Sequence, residues 1–139
     1  MSNFTITGSI TIGGTYNGVT LNNNVWTIYT PTVIAQTGTF TSVAGAGRYK
    51  QIGKTVFLNV IITITTNGSA ANNVQFTLPV NAVNGTGLSP ALNGRASVSG
   101  KQLQGIVFSA TQGLVLNYDN SYPGADGEAL NISGVYEAA

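Results

Sequence analysis

The stretch that decides the fold is residues 55–65, which read Thr-Val-Phe-Leu-Asn-Val-Ile-Ile-Thr-Ile-Thr. Every even-numbered position in it is aliphatic, and this two-residue period is typical of a β-strand with one buried face. The opposite face also carries two apolar side chains, Phe57 and Ile61, where a solvent-facing strand normally carries polar ones. The pattern therefore predicts a strand whose second face is covered by another sheet or by a neighbouring subunit.

The same alternation recurs along the rest of the chain and predicts roughly nine or ten short strands with helix nearly absent. Residues 74–78 follow the turn signal Asn67-Gly68 and are predicted to be the antiparallel partner of 55–65. Further strands are expected at 4–12, 16–21, 25–29, 33–36, 40–43, 97–98, 103–110, 113–118 and 129–136. Turns are expected at Asn17-Gly18, Asn84-Gly85, Asn93-Gly94 and Asp126-Gly127. We therefore predict an all-β fold, an antiparallel β-sandwich or jelly roll.

Charged residues make up only 6% of the chain, against about a quarter in an average soluble domain, whereas 42% of residues are hydrophobic. An ordinary core can form, but hydroxyl, amide and backbone groups must cover the surface. The formal net charge of +1 leaves no basic footprint for nucleic acid or anionic lipid, so we expect no nucleic-acid partner. The weak repulsion between copies favours self-association.

The chain contains neither cysteine nor histidine. This composition excludes disulfides, thiol nucleophiles, histidine-based triads and the usual zinc sites. We expect no secretory signal, because residues 1–5 carry no positively charged n-region and no apolar h-region. We expect no membrane insertion, because no apolar run approaches the length of a membrane span.

The length of 139 residues fits one folded unit with a short extension. Residues 4–24 are uncharged and hold too few apolar side chains to form a core of their own. They are either an edge hairpin of the main domain or the stub of a stalk in which three parallel chains bury their isoleucines. The stalk is favoured, so we divide the chain into a neck at 1–24 and a β-sandwich tip at 25–139.

All four acidic residues lie within nineteen positions of one another: Asp119, Asp126, Glu128 and Glu137. Paired carboxylates can hydrolyse glycosidic bonds, and clustered oxygens can hold calcium, but the sequence lacks the EF-hand ligand spacing. A simple turn is favoured, so no catalytic residue, metal ligand or cofactor is predicted. Loops at the end of a sandwich often carry binding residues, and the predicted ligand-binding residues are Tyr118, Asp119, Asn120, Tyr122 and Asp126. A packed loop at a subunit interface is an equal alternative.

Two further features allow more than one interpretation. Trp26 is either a stacking platform for sugars or, as favoured here, a side chain packed in the core or in a subunit seam. Arg48, Lys50 and Lys54 share one edge if their segment is extended. They either grip an acidic polysaccharide or, as favoured here, protect an edge strand or pair with the few carboxylates.

Five short elements are found from Trp26 onward: WTIYTPT at 26–32, GRYKQIGKTV at 47–56, FTLP at 76–79, NYDNSYPG at 117–124 and ISGVYE at 132–137. In these elements the chain resembles the C-terminal modules of tailed-bacteriophage tail fibres. The resemblance implies a trimeric, β-rich tip that recognises a bacterial surface. Modules of the same type also fit bacterial adhesive fibres built like phage fibres.

These observations favour a non-enzymatic receptor-binding tip, a homotrimer that binds bacterial surface polysaccharide or lipopolysaccharide. Its expected location is a virion tail fibre or the tip of a cell-surface fibre. A structural module that only trimerises or decorates a virion fibre is the alternative. A polysaccharide-cleaving enzyme is disfavoured by the small size of the chain and its few carboxylates.

Overall fold

The computed structural model describes residues 25–83 and 89–139, together with the backbone of residues 15–16 and 19–20. The described residues form β-strands and no α-helix. They therefore contain no helix long and apolar enough to cross a membrane. The strands are β1 (Thr15–Tyr16), β2 (Val19–Thr20), β3 (Thr27–Tyr29), β4 (Val33–Thr37), β5 (Ser42–Ile52), β6 (Thr55–Thr66), β7 (Ala71–Thr77), β8 (Ala91–Ala96), β9 (Gln102–Val107), β10 (Gln112–Asn117) and β11 (Glu128–Glu137).

Strand β6 is the longest strand, and its alternating sequence is realised as predicted. All five even-numbered aliphatic side chains from Val56 to Ile64 are buried. The strand forms long antiparallel ladders with β5 on one side and with β11 on the other. On the opposite face, Phe57 and Ile61 remain 39% and 40% exposed, so no second layer of the described chain covers them.

Strands β3 to β11 form one antiparallel sheet in the order β3-β5-β6-β11-β8-β9-β10-β7-β4. The two outermost strands, β3 and β4, are consecutive in the chain and are joined through the buried Pro31. Gly45 of β5 lies directly against Pro31 and Val33, so the sheet curls until β5 approaches β4. The inward-facing side chains of both halves enclose one apolar core that includes Leu58, Phe76, Leu103 and Leu130. The predicted all-β, antiparallel sandwich-like fold is confirmed.

The predicted pairing of β7 with β6 is wrong. Strand β7 pairs with β10 and with β4, whereas both edges of β6 are occupied by β5 and β11. The longer partners form more main-chain hydrogen bonds with the twelve-residue β6 than the seven-residue β7 could. The Asn67-Gly68 turn is present, with Gly68 in the left-handed region at φ 64°, but it carries the chain across to the other half of the sheet.

Three further strand or turn predictions are wrong, and they concern segments that contain glycine or lie close to one. Asn93-Gly94 was expected to be a turn but lies inside β8, where Gly94 packs against the backbone carbonyl of Asn131. Residues 97–98, expected to be a strand, lie in the turn between β8 and β9. Strand β5 continues to Ile52, well past the expected end at residue 43.

Only a few residues of the N-terminal segment are described, so the structure tests only some of the predictions made for it. The expected single strand 16–21 is wrong, because β1 and β2 are separate two-residue strands that pair antiparallel. The expected strand 4–12 and the turn at Asn84-Gly85 lie outside the described residues. Most of the proposed neck, 1–24, also lies outside them, so its assignment as stalk or edge hairpin stays a prediction.

Candidate functional site

The predicted binding loop connects β10 to β11 and is held in place by its own side chains. Asn117, at the end of β10, is buried, and its Nδ2 donates hydrogen bonds to Ser121 Oγ and to the Tyr122 carbonyl, each at 3.0 Å. Asn120 adopts the left-handed conformation at φ 63°, which allows the tight reversal. The loop is therefore built as a closed turn around a buried amide.

Tyr122 and Asp126 both contact Asn67 in the turn between β6 and β7. The Tyr122 hydroxyl donates to Asn67 Oδ1 at 2.6 Å, and Asp126 Oδ1 accepts from the Asn67 backbone N–H at 2.7 Å. Burial raises the pKa of Tyr122 to about 12, although the hydrogen bond to Asn67 acts in the opposite direction. These two predicted ligand-binding residues thus connect two turns of the same chain.

Asp119 is engaged locally by Ser121. Its Oδ1 accepts hydrogen bonds from the hydroxyl and, at 3.0 Å, from the backbone N–H of that serine. The bond from the Ser121 side chain is the main reason why the pKa of Asp119 lies below its usual value, and the backbone bond adds to it. A short polar turn of this kind requires no ligand to be complete.

Tyr118 and Asn120 are exposed, as are the two predicted aspartates, and this pair lies on the outer side of the sheet. Tyr118 is 64% exposed, and its backbone N–H donates to the carbonyl of Gln102 at 3.0 Å. The Gln104 side chain donates to Asn120 Oδ1 at 2.8 Å. The five predicted residues therefore divide into a turn-connecting pair, a locally bonded aspartate and an outward-facing pair. Their binding of a ligand stays a prediction.

The carboxyl group of Glu128 is also committed to the fold. It is only 3% exposed, and its two oxygens accept hydrogen bonds from the backbone N–H groups of Val98 and Ser99 at 2.8 and 3.0 Å. Asp126 and Glu128, the closest acidic pair in the sequence, thus have separate backbone partners. Among the described residues no group of three or more acidic side chains could hold a metal ion.

A groove of about 690 Å³ crosses the outer face of the sheet and was not predicted from the sequence. Its floor is formed by β5, β6, β11 and β8, and Ile28 of β3 lies at one side. The outward-facing side chains that line it are Ile28, Ala46, Arg48, Asn59, Ile61, Asn93, Arg95, Asn131 and Ser133. None of the described residues that line it is acidic.

Strand register explains how residues distant in sequence meet in this groove. Arg48 is aligned with Asn59, which is aligned with Ser133 and, through it, with Asn93. A second row runs from Ile61 through Asn131 to Arg95. In the sequence, the groove is indicated only by the apolar Ile61 on the outer face of β6. The rest depends on register, which single-strand patterns do not show.

Trp26 lies beside the groove rather than in the core. Its half-buried ring is stacked under the Arg48 guanidinium group, 5.1 Å from the ring centroid, and it is not among the side chains packed against the core. With Phe57 and Val135 it lines a smaller groove of about 310 Å³ on the same face. The predicted packing of Trp26 in the core is therefore wrong, and its packing in a subunit seam stays a prediction.

The three basic residues at 48–54 do not form one edge. Arg48 belongs to an interior part of the sheet, since it is paired with Ile28 on one side and Asn59 on the other. Lys50 follows on the same face of β5, whereas Lys54 lies in the turn between β5 and β6. The edge-strand interpretation is therefore wrong for Arg48. Its position on the floor of the groove fits the alternative of ligand contact.

No protein-family model matches the chain, and no match was found among curated proteins or among solved structures.

Proposed function

We propose that this protein is a non-enzymatic binding module that recognises glycans on a bacterial cell surface, as the tip of a trimeric fibre. The observation that carries the proposal is the groove on the outer sheet face, which is lined by both amide and apolar side chains. Sugars present hydroxyl groups to hydrogen-bonding partners and apolar ring faces to aliphatic or aromatic side chains. Asn59, Asn93 and Asn131 supply the first kind of partner, and Ile28 and Ile61 the second.

The carboxyl groups support a binding role rather than hydrolysis. A glycosidase needs two carboxyl groups facing one substrate bond. Here Glu128 is bonded to the backbone of the β8–β9 turn, and Asp126 to the backbone of the β6–β7 turn. None of the described groove residues is acidic. The resemblance to phage fibre tips supports the same proposal and implies a location on a virion fibre or on a cell-surface fibre.

A glycan array tests this proposal directly. The purified protein is expected to bind a subset of bacterial surface polysaccharides, and replacement of Asn59 by Ala should weaken that binding at least tenfold. Asn59 is suitable because its side chain lies at the centre of the groove, yet forms no hydrogen bond with the described residues. The matched control is Asn81→Ala, since Asn81 is an exposed amide in the loop after β7, outside the groove, and its side chain also forms no hydrogen bond with the described residues. Failure to bind any glycan on the array would contradict the proposal.

A structural trimerisation module is the second candidate, and the apolar outer face favours it. Ile28, Phe57, Ile61 and Val135 are between 39% and 83% exposed on neighbouring strands of this face. Apolar patches of this kind commonly mark protein interfaces. In this alternative the outer face is buried between subunits, and the groove does not reach a receptor.

A further inference from the structure

We propose that the ligand of the outer-face groove is an acidic polysaccharide, whose carboxylate groups are bound by Arg48 and Arg95. This inference rests on the proposed glycan-binding function and specifies its ligand class. The two arginines are the charged residues among the described groove lining, and neither has an ion-pair partner in the described part of the chain. In a protein with only four acidic residues, two such cations facing one groove form a local positive field.

The geometry of each arginine leaves its guanidinium group available. Arg48 is held by the face of the Trp26 ring, at 5.1 Å from the centroid, and this contact leaves the N–H groups at the edge of its plane unused. Arg95 is exposed on β8, and a guanidinium nitrogen lies close to Gly100 in the adjacent turn. Guanidinium groups bind carboxylates through two parallel hydrogen bonds, which lysine cannot reproduce.

The spacing of the arginines requires an extended ligand. Arg48 on β5 and Arg95 on β8 are three strand spacings apart, or roughly 14 Å across the sheet. This distance exceeds the size of one sugar ring, so a ligand that reaches both groups spans several sugars. Between the two arginines lie Asn59 and Ile61, which offer an unpaired amide and an apolar surface to the intervening sugars. The site is therefore arranged for an acidic chain with neutral contacts between its charges.

The test uses a panel of carboxylate-bearing bacterial polysaccharides and the same polymers after chemical reduction of their carboxylates to alcohols. The full-length protein should bind at least one native polymer, and lose at least tenfold in affinity for its reduced form. Arg48→Gln and Arg95→Gln should each weaken binding of the native polymer about tenfold or more, and binding should weaken as salt is added. Arg48→Lys should restore only part of the affinity, because it keeps the charge without the paired N–H groups.

Lys54→Gln is the matched control, because it removes one positive charge from a turn outside the groove. It should change affinity less than twofold, and the thermal midpoints of all variants should agree, which excludes misfolding. If native and reduced polymers bind equally and the arginine variants change neither affinity, the proposal of an acidic ligand is contradicted, whereas the proposed glycan binding is not. Binding of neither form would overturn both.

Discussion

Two of the four carboxyl groups in this protein, those of Asp126 and Glu128, hold turns through hydrogen bonds from the backbone. Glu128 receives backbone N–H groups from the β8–β9 turn, and Asp126 receives the N–H of Asn67 from the β6–β7 turn. Each carboxylate thereby satisfies main-chain donors that strands leave unpaired where they end. The acids that resemble a catalytic or calcium-binding set in sequence lie in the β10–β11 loop and at the two ends of β11, and Asp126 and Glu128 bind the backbone of different turns.

Glu128→Gln should show how much such an anchor contributes. Burial alone would raise the pKa of Glu128, but the hydrogen bonds from Val98 and Ser99 outweigh it and lower the pKa. A lowered pKa means that the carboxylate stabilises the folded state above its ordinary pKa of about 4.3, and that this contribution is lost as the pH falls through the lowered value. At pH 7 we expect the variant to lose about 2 kcal/mol of unfolding free energy.

Urea unfolding at pH 7 and at pH 3 measures this effect. The difference between the native protein and Glu128→Gln should shrink at the lower pH, because the carboxyl group of the unfolded chain is protonated there and the folded state, whose pKa is lower, gains less from its ionised form. Glu137→Gln provides the control, since Glu137 is exposed and should change stability by no more than about 0.5 kcal/mol. A stability difference that does not depend on pH would contradict the assigned role.

Substitutions of Tyr118 and Tyr122 should distinguish the contribution of the β10–β11 loop to binding from its contribution to stability. Tyr122→Ala should lower the unfolding free energy by about 2 kcal/mol, because the ring is half-buried and its hydroxyl is bonded to Asn67. Tyr118→Ala should leave stability unchanged, because the ring is 64% exposed. If the loop contacts the ligand, Tyr118→Ala alone should weaken glycan binding, about tenfold, without loss of stability. Full binding by this variant would remove the loop from the binding surface.

At the scale of elements, strands with strict alternation were predictable, and glycine-rich strands were not. The even positions of β6 and the ends of β10 and β11 follow from side-chain periodicity alone. Strand β8 was missed because Asn93-Gly94 has the composition of a tight turn, although Gly94 serves there to let two strands approach closely. The groove was missed for a related reason, because the register of several strands brings its residues together and no local pattern records that register.

Gly94→Ala tests whether close approach fixes the register of β8. A methyl group at this position would overlap the backbone carbonyl oxygen of Asn131 in β11, and backbone cannot move aside as a flexible side chain can. We expect a loss of about 2 to 3 kcal/mol in unfolding free energy, measured by urea titration. Asn93→Ala, at the neighbouring exposed position of the same strand, should cost far less. Equal stability of Gly94→Ala and the native protein would show that the strands can separate there without cost.

At the scale of the whole molecule, one sheet face carries two features that imply different partners. The groove between Arg48 and Arg95 suits the proposed acidic polysaccharide, whereas Phe57 and Val135, about 40% to 50% exposed, suit a packed neighbouring subunit. The register aligns Phe57 with Lys50 and Val135, in a row next to the one that contains Arg48. A subunit seated on the Phe57 row could therefore leave the arginine groove open, and the predicted trimer and the proposed binding site are compatible.

We expect a homotrimer at micromolar concentration by light scattering, because apolar side chains on the outer face of β6 and β11 have no covering layer in the described chain. Phe57→Asn should shift the protein towards monomer, whereas Val98→Asn, at an apolar residue that is 73% exposed in the β8–β9 turn, should remain trimeric. A monomeric native protein, or a trimer unaffected by Phe57→Asn, would contradict this interface. A trimer that still binds acidic polysaccharide would favour receptor recognition, since the structural alternative buries the same face completely.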